Sequence, residues 1–214
     1  MKFLKVNKLS FLSLLAMIVI TTILYPGLPE TIPVNYDWNG VARSETPAEI
    51  VALLIPVIYA VVILLIEVFL RISPEKYSMP NSRRAKDIIV FGVGLLLTSV
   101  HIGLLTNAGD MHVIERFLAF GMALFLIVVG NVFGKMELNF IIGIRLPWTI
   151  ASESNWRATH RFAGRLMVIV GVALFIVSFY YSHLVVTVAA STSTVLIPVI
   201  YSYLYFNKNQ RSAL

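Results

Sequence analysis

The fold of this chain is decided by apolar runs such as Ala48–Ile72, AEIVALLIPVIYAVVILLIEVFLRI, which holds only three charged residues. Five more runs share this character: Leu9–Tyr25, Asp87–Asn107, Val113–Phe133, Ala163–His183 and Leu184–Phe206. Each run has at least 17 residues. As a helix, a run of that length extends about 25 Å or more, close to the thickness of the hydrocarbon core of a bilayer. The sequence therefore predicts an all-α integral membrane protein with six transmembrane helices.

The basic residues predict how these six spans are oriented. With the N-terminus in the cytoplasm, only Arg43 and Arg116 of the 17 Lys and Arg residues fall outside, and the other fifteen fall inside. Short cytoplasmic loops of membrane proteins carry an excess of Lys and Arg. We therefore expect cytoplasmic N- and C-termini.

Composition supports this class and excludes others. Hydrophobic residues make up 58% of the chain and charged residues 13%, which is typical of a membrane protein. The net charge is +6, and the basic residues lie beside helix ends, where they meet anionic headgroups. We therefore do not expect nucleic-acid binding. The absence of cysteine excludes disulfides and thiolate metal sites. The residues YPGLP after the first run contain no small-x-small cleavage site, which favours an uncleaved span over a signal peptide.

The outer loop Pro26–Thr46 is predicted to be a short extended segment. Its three prolines disfavour a helix, and Ile32, Val34, Tyr36 and Trp38 alternate with polar residues. We expect this apolar face to lie on the outer membrane surface. The sequence TPAE, residues 46–49, then predicts a helix start with Thr as N-cap, Pro at the first position and Glu at the third.

The inner stretch Gly130–Arg165, GNVFGKMELNFIIGIRLPWTIASESNWRATHRFAGR, holds the most distinctive pattern. Gly130 and Gly134 are four residues apart, which favours close helix contact. The segment FIIGIRLPW, residues 140–148, is apolar but too short to span, so we expect it to lie in or dip into the inner interface.

A helix is predicted to resume near Ser152 and to run into the fifth span. Glu153, Arg157 and Arg161 would form one charged stripe on it, and Trp156 and His160 a second stripe. This is the pattern of an interfacial helix with a Trp anchor, fused to a transmembrane helix.

These motifs resemble those of a known family. GNxxGKM at 130–136, then Asn139, GIRLPWT at 143–149 and WxxxHR at 156–161 closely resemble the signature of the SdpI family of bacterial membrane proteins. The segment LPETIPVNYDWNG, residues 28–40, resembles the DUF1648 module that precedes it in that family, although this chain has Asn35 where such modules often carry His. The resemblance implies two parts: residues 1–86, a helix hairpin with a DUF1648-like outer loop (26–46), and residues 87–214, a four-helix SdpI-like region with a cytoplasmic motif loop (134–161).

The resemblance implies a multi-pass protein of the bacterial cell membrane with a receptor and immunity function. Its partners would be membrane lipids, a secreted hydrophobic peptide toxin outside, and a cytoplasmic repressor held at the membrane when the peptide is present. Candidate peptide-facing residues are Pro33, Asp37 and Trp38. Candidate signalling residues are Asn131, Asn139, Arg145, Trp148, Trp156, Arg157 and His160. Arg145, Trp148, Trp156 and His160 also fit a purely structural role as interface anchors.

The alternative function is a small transporter or permease that exports a peptide or lipid. Pro56, Pro198 and the Ser/Thr run at 191–194 motivate it, although hydroxyls that bond back to their own helix would explain that run without a transport path. Metalloprotease, Ser-hydrolase and paired-Asp motifs do not occur, so we expect no enzyme activity and no cofactor.

Glu67 is the only carboxylate well inside a predicted span, and His101 lies in the outer part of the third span. Glu67 has Arg71 one turn further along, which predicts an i, i+4 pair that snorkels toward the inner interface. The alternative for Glu67 is a functional intramembrane acid. His101 is expected to hydrogen-bond to a facing helix rather than to hold a ligand.

Overall fold

A computed structural model describes residues 8–37, 40–72, 80–106, 110–139, 142–181 and 183–211. Within these ranges six helices are long and apolar enough to cross a membrane, which confirms the predicted integral membrane fold. They are α1 (Lys8–Leu24), α2 (Ala48–Ile72), α3 (Pro80–Thr106), α4 (Met111–Phe133), α5 (Glu153–Tyr180) and α6 (Leu184–Arg211). A small antiparallel hairpin of β1 (Thr31–Tyr36) and β2 (Ala42–Pro47) is the one departure from an all-α fold.

The helix starts agree with the sequence in some places and not in others. Helix α5 starts as predicted, because the Ser152 hydroxyl accepts a hydrogen bond from Asn155 N and caps it. The predicted TPAE helix start is wrong, since Thr46 and Pro47 belong to β2 and α2 begins at Ala48. The cytoplasmic loop predicted for Ser73–Lys86 is also shorter than expected, because α3 already begins at Pro80.

Helix α4 lies at the centre of the bundle. It packs against α3 on one side and α5 on the other; α6 lies against α5, and α1 and α2 lie against α3. Small residues allow this packing: a Cβ at Gly121 would lie 2.8 Å from Ser99 Cβ, and a Cβ at Gly130 would lie 2.8 Å from Gly164 O. The predicted close contact at Gly130 is therefore confirmed.

Leu, Val and Ile side chains cover the outside of the bundle, as a lipid-facing surface requires. Helix α2 alone exposes Leu53, Leu54, Val57, Val61, Leu64 and Leu65. The buried side chains include small or polar ones at helix contacts, such as Ser99, His101, Ala119 and Ala123. Apolar residues outside and small or polar residues at helix contacts are the arrangement expected when lipid is the solvent.

The two ends of the bundle differ in construction. We call the end that holds the β-hairpin and the starts of α4 and α6 the hairpin end. The opposite end holds the stretch from Gly134 to His160 and the end of α6, and we call it the basic end because most of the Lys and Arg residues in the described ranges lie there. Each end carries one group of the predicted site residues.

Candidate functional sites

The hairpin end is organised by a turn around Asp37. Its carboxylate Oδ1 accepts a hydrogen bond from Val41 N at 2.9 Å, and its backbone N–H donates to Val41 O at 2.9 Å. Gly40 has a φ of 78°, which a glycine adopts without strain. The structural role of Asp37 is therefore to stabilise this turn. Trp38, also predicted to face a peptide, lies outside the described residues.

The predicted apolar face of the outer segment lies on the bundle rather than spread over the membrane surface. Ile32 is completely buried and packs against Ala48 and Val51 of α2, with Leu104 of α3 beside it. The Ala48 N–H donates to Glu30 O, which fastens the start of α2 to the chain just before β1. The expectation that Ile32 is presented outward is thus wrong, because its burial attaches the hairpin to α2 and α3.

Pro33 and Asn35 lie on strand β1 beside this attachment. The carbonyl of Pro33 accepts a hydrogen bond from the Tyr36 hydroxyl, and Asn35 Nδ2 donates to the Ser44 hydroxyl across the hairpin at 2.8 Å. The strand register shifts on both sides of Asn35. Such a bulge rotates the strand, so the simple alternation predicted from the sequence ends there.

A cavity of about 490 Å³ opens between the hairpin and the starts of α4 and α6. Its charged and titratable lining residues are Asp37, Arg43, His112, Glu115 and His183. Glu115 is the most buried of these, with Oε1 accepting a hydrogen bond from Leu184 N at 3.2 Å and Oε2 lying 3.5 Å from His112 Nδ1. A carboxylate at the N-terminus of α6 is favoured by the helix dipole.

Sequence reasoning missed Glu115, His112 and His183 because they are far from the outer loop along the chain. A carboxylate three residues inside the fourth apolar run was the available signal. Of the two described residues predicted to face a peptide, Pro33 and Asp37, Asp37 lines this cavity.

At the basic end, Trp156 and His160 of α5 are completely buried, so their prediction as interface anchors is wrong. Trp156 Nε1 donates to Met136 O at 3.0 Å. His160 Nδ1 donates to Trp156 O, and its Nε2 accepts from Ile144 N at 3.0 Å. Both ring nitrogens are thus in use, which assigns a neutral ring with its hydrogen on Nδ1. The two side chains fasten the stretch 136–144 onto α5.

Gly143 completes this arrangement. Its φ is 129°, and a Cβ there would lie 2.5 Å from His160 Nε2 and 2.8 Å from Trp156 Cη2. A residue with a side chain is therefore excluded both by the backbone conformation and by the lack of space. We refer to Asn139, Gly143, Trp156 and His160, with the backbone that they bind, as the inner knot.

The neighbouring turn, Pro147–Ile150, is fastened to α6. Trp148 Nε1 donates to the Ser202 hydroxyl at 3.0 Å, and Asn155 Nδ2 donates to Ser202 O at 3.1 Å. Thr159 in turn donates to Asn155 Oδ1. Asn155, Thr159 and Ser202 were not predicted, because neither their spacing nor their type distinguishes them from ordinary helix residues.

The other predicted signalling residues divide by exposure. Asn139 is buried, and its Oδ1 accepts a hydrogen bond from Ile142 N at 2.8 Å. Arg145, Arg157 and Asn131 are exposed. Arg157 forms an ion pair with Glu153, as the predicted stripe requires. Asn131 Nδ2 donates to Ile127 O in its own helix. Four of the seven predicted residues (Asn139, Trp148, Trp156, His160) therefore hold the inner stretch in place through the bonds described.

The two intramembrane ionisable residues have partners on facing helices. Glu67 is buried and pairs with Lys86 of α3 at 3.2 Å, and Lys86 also lies 2.9 Å from Asp87 Oδ1. Glu67 is thus held inside the bundle rather than at the interface, while its predicted pair with Arg71 stays a prediction because the side chain of Arg71 lies outside the described part. His101 Nε2 lies 2.7 Å from the Thr21 hydroxyl of α1, which confirms the predicted bond to a facing helix. Among the described residues no group of three or more His, Asp or Glu is placed to hold a metal ion.

Comparison with known proteins connects both ends to one family. Residues 135–202 match the model of the SdpI/YfhL protein family, and residues 12–60 match a domain of unknown function, DUF1648. The chain is 26% identical over 210 residues to the immunity protein SdpI of Bacillus subtilis (strain 168), covering 95% of this chain and 97% of that protein. No solved structure matches. The DUF1648 match includes the hairpin, and the SdpI/YfhL match includes all four residues of the inner knot.

Proposed function

Because the chain belongs to the SdpI family of bacterial membrane proteins, we propose that it is an immunity protein that protects its cell from a secreted antimicrobial peptide. The observation that carries this proposal is the similarity to an immunity protein along nearly the whole length of both chains. The family membership and the six spans make it a multi-pass protein of the bacterial cell membrane.

The hairpin end is the part that we propose meets the peptide. We propose that this end lies outside the cell, and the distribution of Lys and Arg supports that orientation. Its cavity offers the carboxylates of Asp37 and Glu115, which suit a basic side chain or an amino terminus, and apolar walls from Met111, Leu184 and Val185. A peptide with hydrophobic and basic residues has complementary chemistry. Pro33 and Trp38 stay proposed as neighbouring contacts.

Survival of a peptide-sensitive bacterium that expresses the chain tests this proposal. Wild type should raise survival. Glu115→Gln, which keeps the shape and removes the charge, should raise peptide sensitivity by about tenfold, the effect of losing one buried charge-assisted contact. Glu30→Gln is the matched control, since Glu30 is exposed on the same outer segment and does not line the cavity. Failure of wild type to protect against any such peptide would refute the immunity function.

A second part of the proposal concerns output to the cytoplasm. We propose that the exposed face of the inner stretch, including Arg145 and Arg157, docks a cytoplasmic repressor when the hairpin end is occupied. Support comes from its basic charge and from the fastening of this stretch to α5 and α6, which transmits any shift of those helices. Pull-down with Arg145→Ala and Arg157→Ala, compared with wild type, tests it. Equal recovery of the repressor would leave these residues as lipid contacts.

The transporter alternative has less support. The hydroxyls of Thr187, Ser191, Ser193 and Thr194 all donate to carbonyls of the same chain segment, so they line no polar path of their own. Dependence of resistance on the proton gradient would favour a transporter, because a receptor requires none.

A further inference from the structure

A second cavity, of about 440 Å³, lies at the basic end beside the crossing of α4 and α5. Glycines form its floor: Gly130 and Gly134 from α4 and Gly164 from α5. The helices are so close there that a Cβ at Gly164 would lie 2.7 Å from Gly130 O. Because none of the three glycines has a side chain, the crossing leaves a hollow on the outer surface of the bundle.

Three cations surround this hollow. Lys135, Arg161 and Arg165 line it, and no Asp or Glu does. All three are exposed, and none forms an ion pair with a residue in the described part of the chain. Arg161 and Arg165 are one turn apart on the same face of α5, so their charges repel each other. An anion in the hollow would relieve that repulsion.

The depth of the hollow corresponds to the inner headgroup layer. Counted back from Tyr180 as the outer edge of the hydrocarbon, Arg165 lies about 23 Å and Arg161 about 29 Å along the helix, against a core about 30 Å thick. The positive-inside distribution places this edge in the cytoplasmic leaflet. The lining continues toward the bilayer centre with Val168 and with Ile169, which is 65% exposed.

We propose that this hollow is a binding site for an anionic phospholipid of the cytoplasmic leaflet, with its phosphate among Lys135, Arg161 and Arg165 and an acyl chain along Val168 and Ile169. Arg guanidinium groups match phosphate oxygens with two parallel hydrogen bonds, and basic pockets between helices on the cytoplasmic side suit headgroups with more than one phosphate. Three cations with no carboxylate favour a lipid with two phosphates over one with a single charge. The apolar continuation favours a lipid over free phosphate or an acidic protein.

Two other arginines at the basic end, Arg145 and Arg157, do not belong to this site. Arg157 already has Glu153 as a partner and lies one turn further from the bilayer, and neither Arg157 nor Arg145 lines the hollow. The site is independent of the proposed immunity function, since it rests only on the crossing of α4 and α5 and the charges beside it.

Lipid binding to the purified full-length protein in detergent tests the proposal. Cardiolipin, phosphatidylglycerol, phosphatidylcholine and inorganic phosphate are added in turn, and bound lipid is measured by native mass spectrometry together with the melting temperature. Cardiolipin should bind more tightly than phosphatidylglycerol, and phosphatidylcholine should bind least. The Arg161→Gln/Arg165→Gln double variant should lose about tenfold or more in cardiolipin affinity, as expected for two charge-assisted contacts.

Arg157→Gln is the matched control, because it removes an arginine from the same helix outside the hollow and should leave cardiolipin affinity unchanged. Ile169→Ser should weaken cardiolipin binding without changing the response to inorganic phosphate. Equal binding of all three lipids, or an unchanged affinity of the double variant, would overturn the site. Full competition by inorganic phosphate, or displacement of the lipid by an acidic cytoplasmic protein that binds more tightly, would overturn the assignment to a lipid.

Discussion

The hairpin end and the inner knot are attached to the same bundle by opposite means. Apolar packing attaches the hairpin, through buried Ile32 with Val34 beside it, and side-chain bonds within the hairpin such as that from Asn35 to Ser44 are exposed. The inner knot is attached by buried polar groups, because the side chains of Trp156 and His160 form hydrogen bonds to backbone groups. No space is left beside Gly143. Exposed bonds exchange readily with water, whereas broken buried bonds leave unsatisfied groups. We therefore expect substitutions in the hairpin to change recognition and those in the knot to change folding first.

The largest expected effect is that of splitting the buried ion pair between α2 and α3. Lys86→Met should lower the free energy of unfolding by about 3–5 kcal/mol, because it leaves Glu67 buried without its partner. The Glu67→Gln/Lys86→Met double variant should recover much of this loss. Unfolding in mixed micelles gives the two values. If the double variant is no more stable than the single one, Asp87 rather than Glu67 is the main partner of Lys86.

Gly143→Ala should have the next largest effect. A methyl group 2.5 Å from His160 Nε2, at a φ of 129°, should destabilise the protein by about 2–4 kcal/mol. The matched control is Gly27→Ala on the hairpin side of α1, where no atom lies within 4 Å of the new Cβ. Both variants are compared by melting temperature and by the amount of protein in the membrane. Equal stability of the two would contradict the description of the knot as a close-packed joint.

Some of this contrast was predictable from the sequence and some was not. Span lengths and the Ser152 cap depend on neighbouring residues, so a local pattern reveals them. The spacing of Gly130 and Gly134 predicts a helix contact but not its partner, Gly164. Helical spacing placed Trp156 and His160 on one face of α5. It could not show whether lipid or another segment of the protein covers that face. It also offered Glu67 a partner one turn away, but it could not reveal Lys86, which pairs with Glu67 from the next helix.

The second strand of the hairpin was missed for a related reason. Its sequence ARSETP has no apolar alternation and ends in proline, so nothing local distinguishes it from a loop. Pairing with β1 defines it, and pairing depends on residues elsewhere in the chain. The cavity beside Glu115 was unpredictable for the same reason, because it joins three segments that are distant in sequence.

We also expect the two ends to differ in function, so that substitutions can separate signalling from protection. Trp156→Ala and His160→Ala should impair signalling more than protection, whereas Trp38→Ala should impair both. The two ends are divided by the bundle, and coupling between them through α5 and α6 would be worth about 1–3 kcal/mol if typical of linked sites. Reporter output and survival are measured in the same strains at matched membrane levels. Loss of protection in the inner variants at normal protein levels would make the knot part of the immunity mechanism itself.

The smallest expected effect is that of removing one amide from the hairpin. Asn35→Ala removes an exposed bond to Ser44, and water replaces it, so stability should change by less than about 0.5 kcal/mol. Asn155→Ala is its counterpart near the inner knot, where the amide binds Ser202 O and accepts from Thr159 in a buried position. That loss removes the bond to Ser202 O and the buried acceptor of the Thr159 hydroxyl, and should reduce the free energy of unfolding by about 1–3 kcal/mol. Chemical unfolding of both variants in the same detergent gives the difference directly. Equal losses would mean that burial does not distinguish the two ends, and a larger loss for Asn35→Ala would mean that the hairpin, rather than the knot, holds the bundle together.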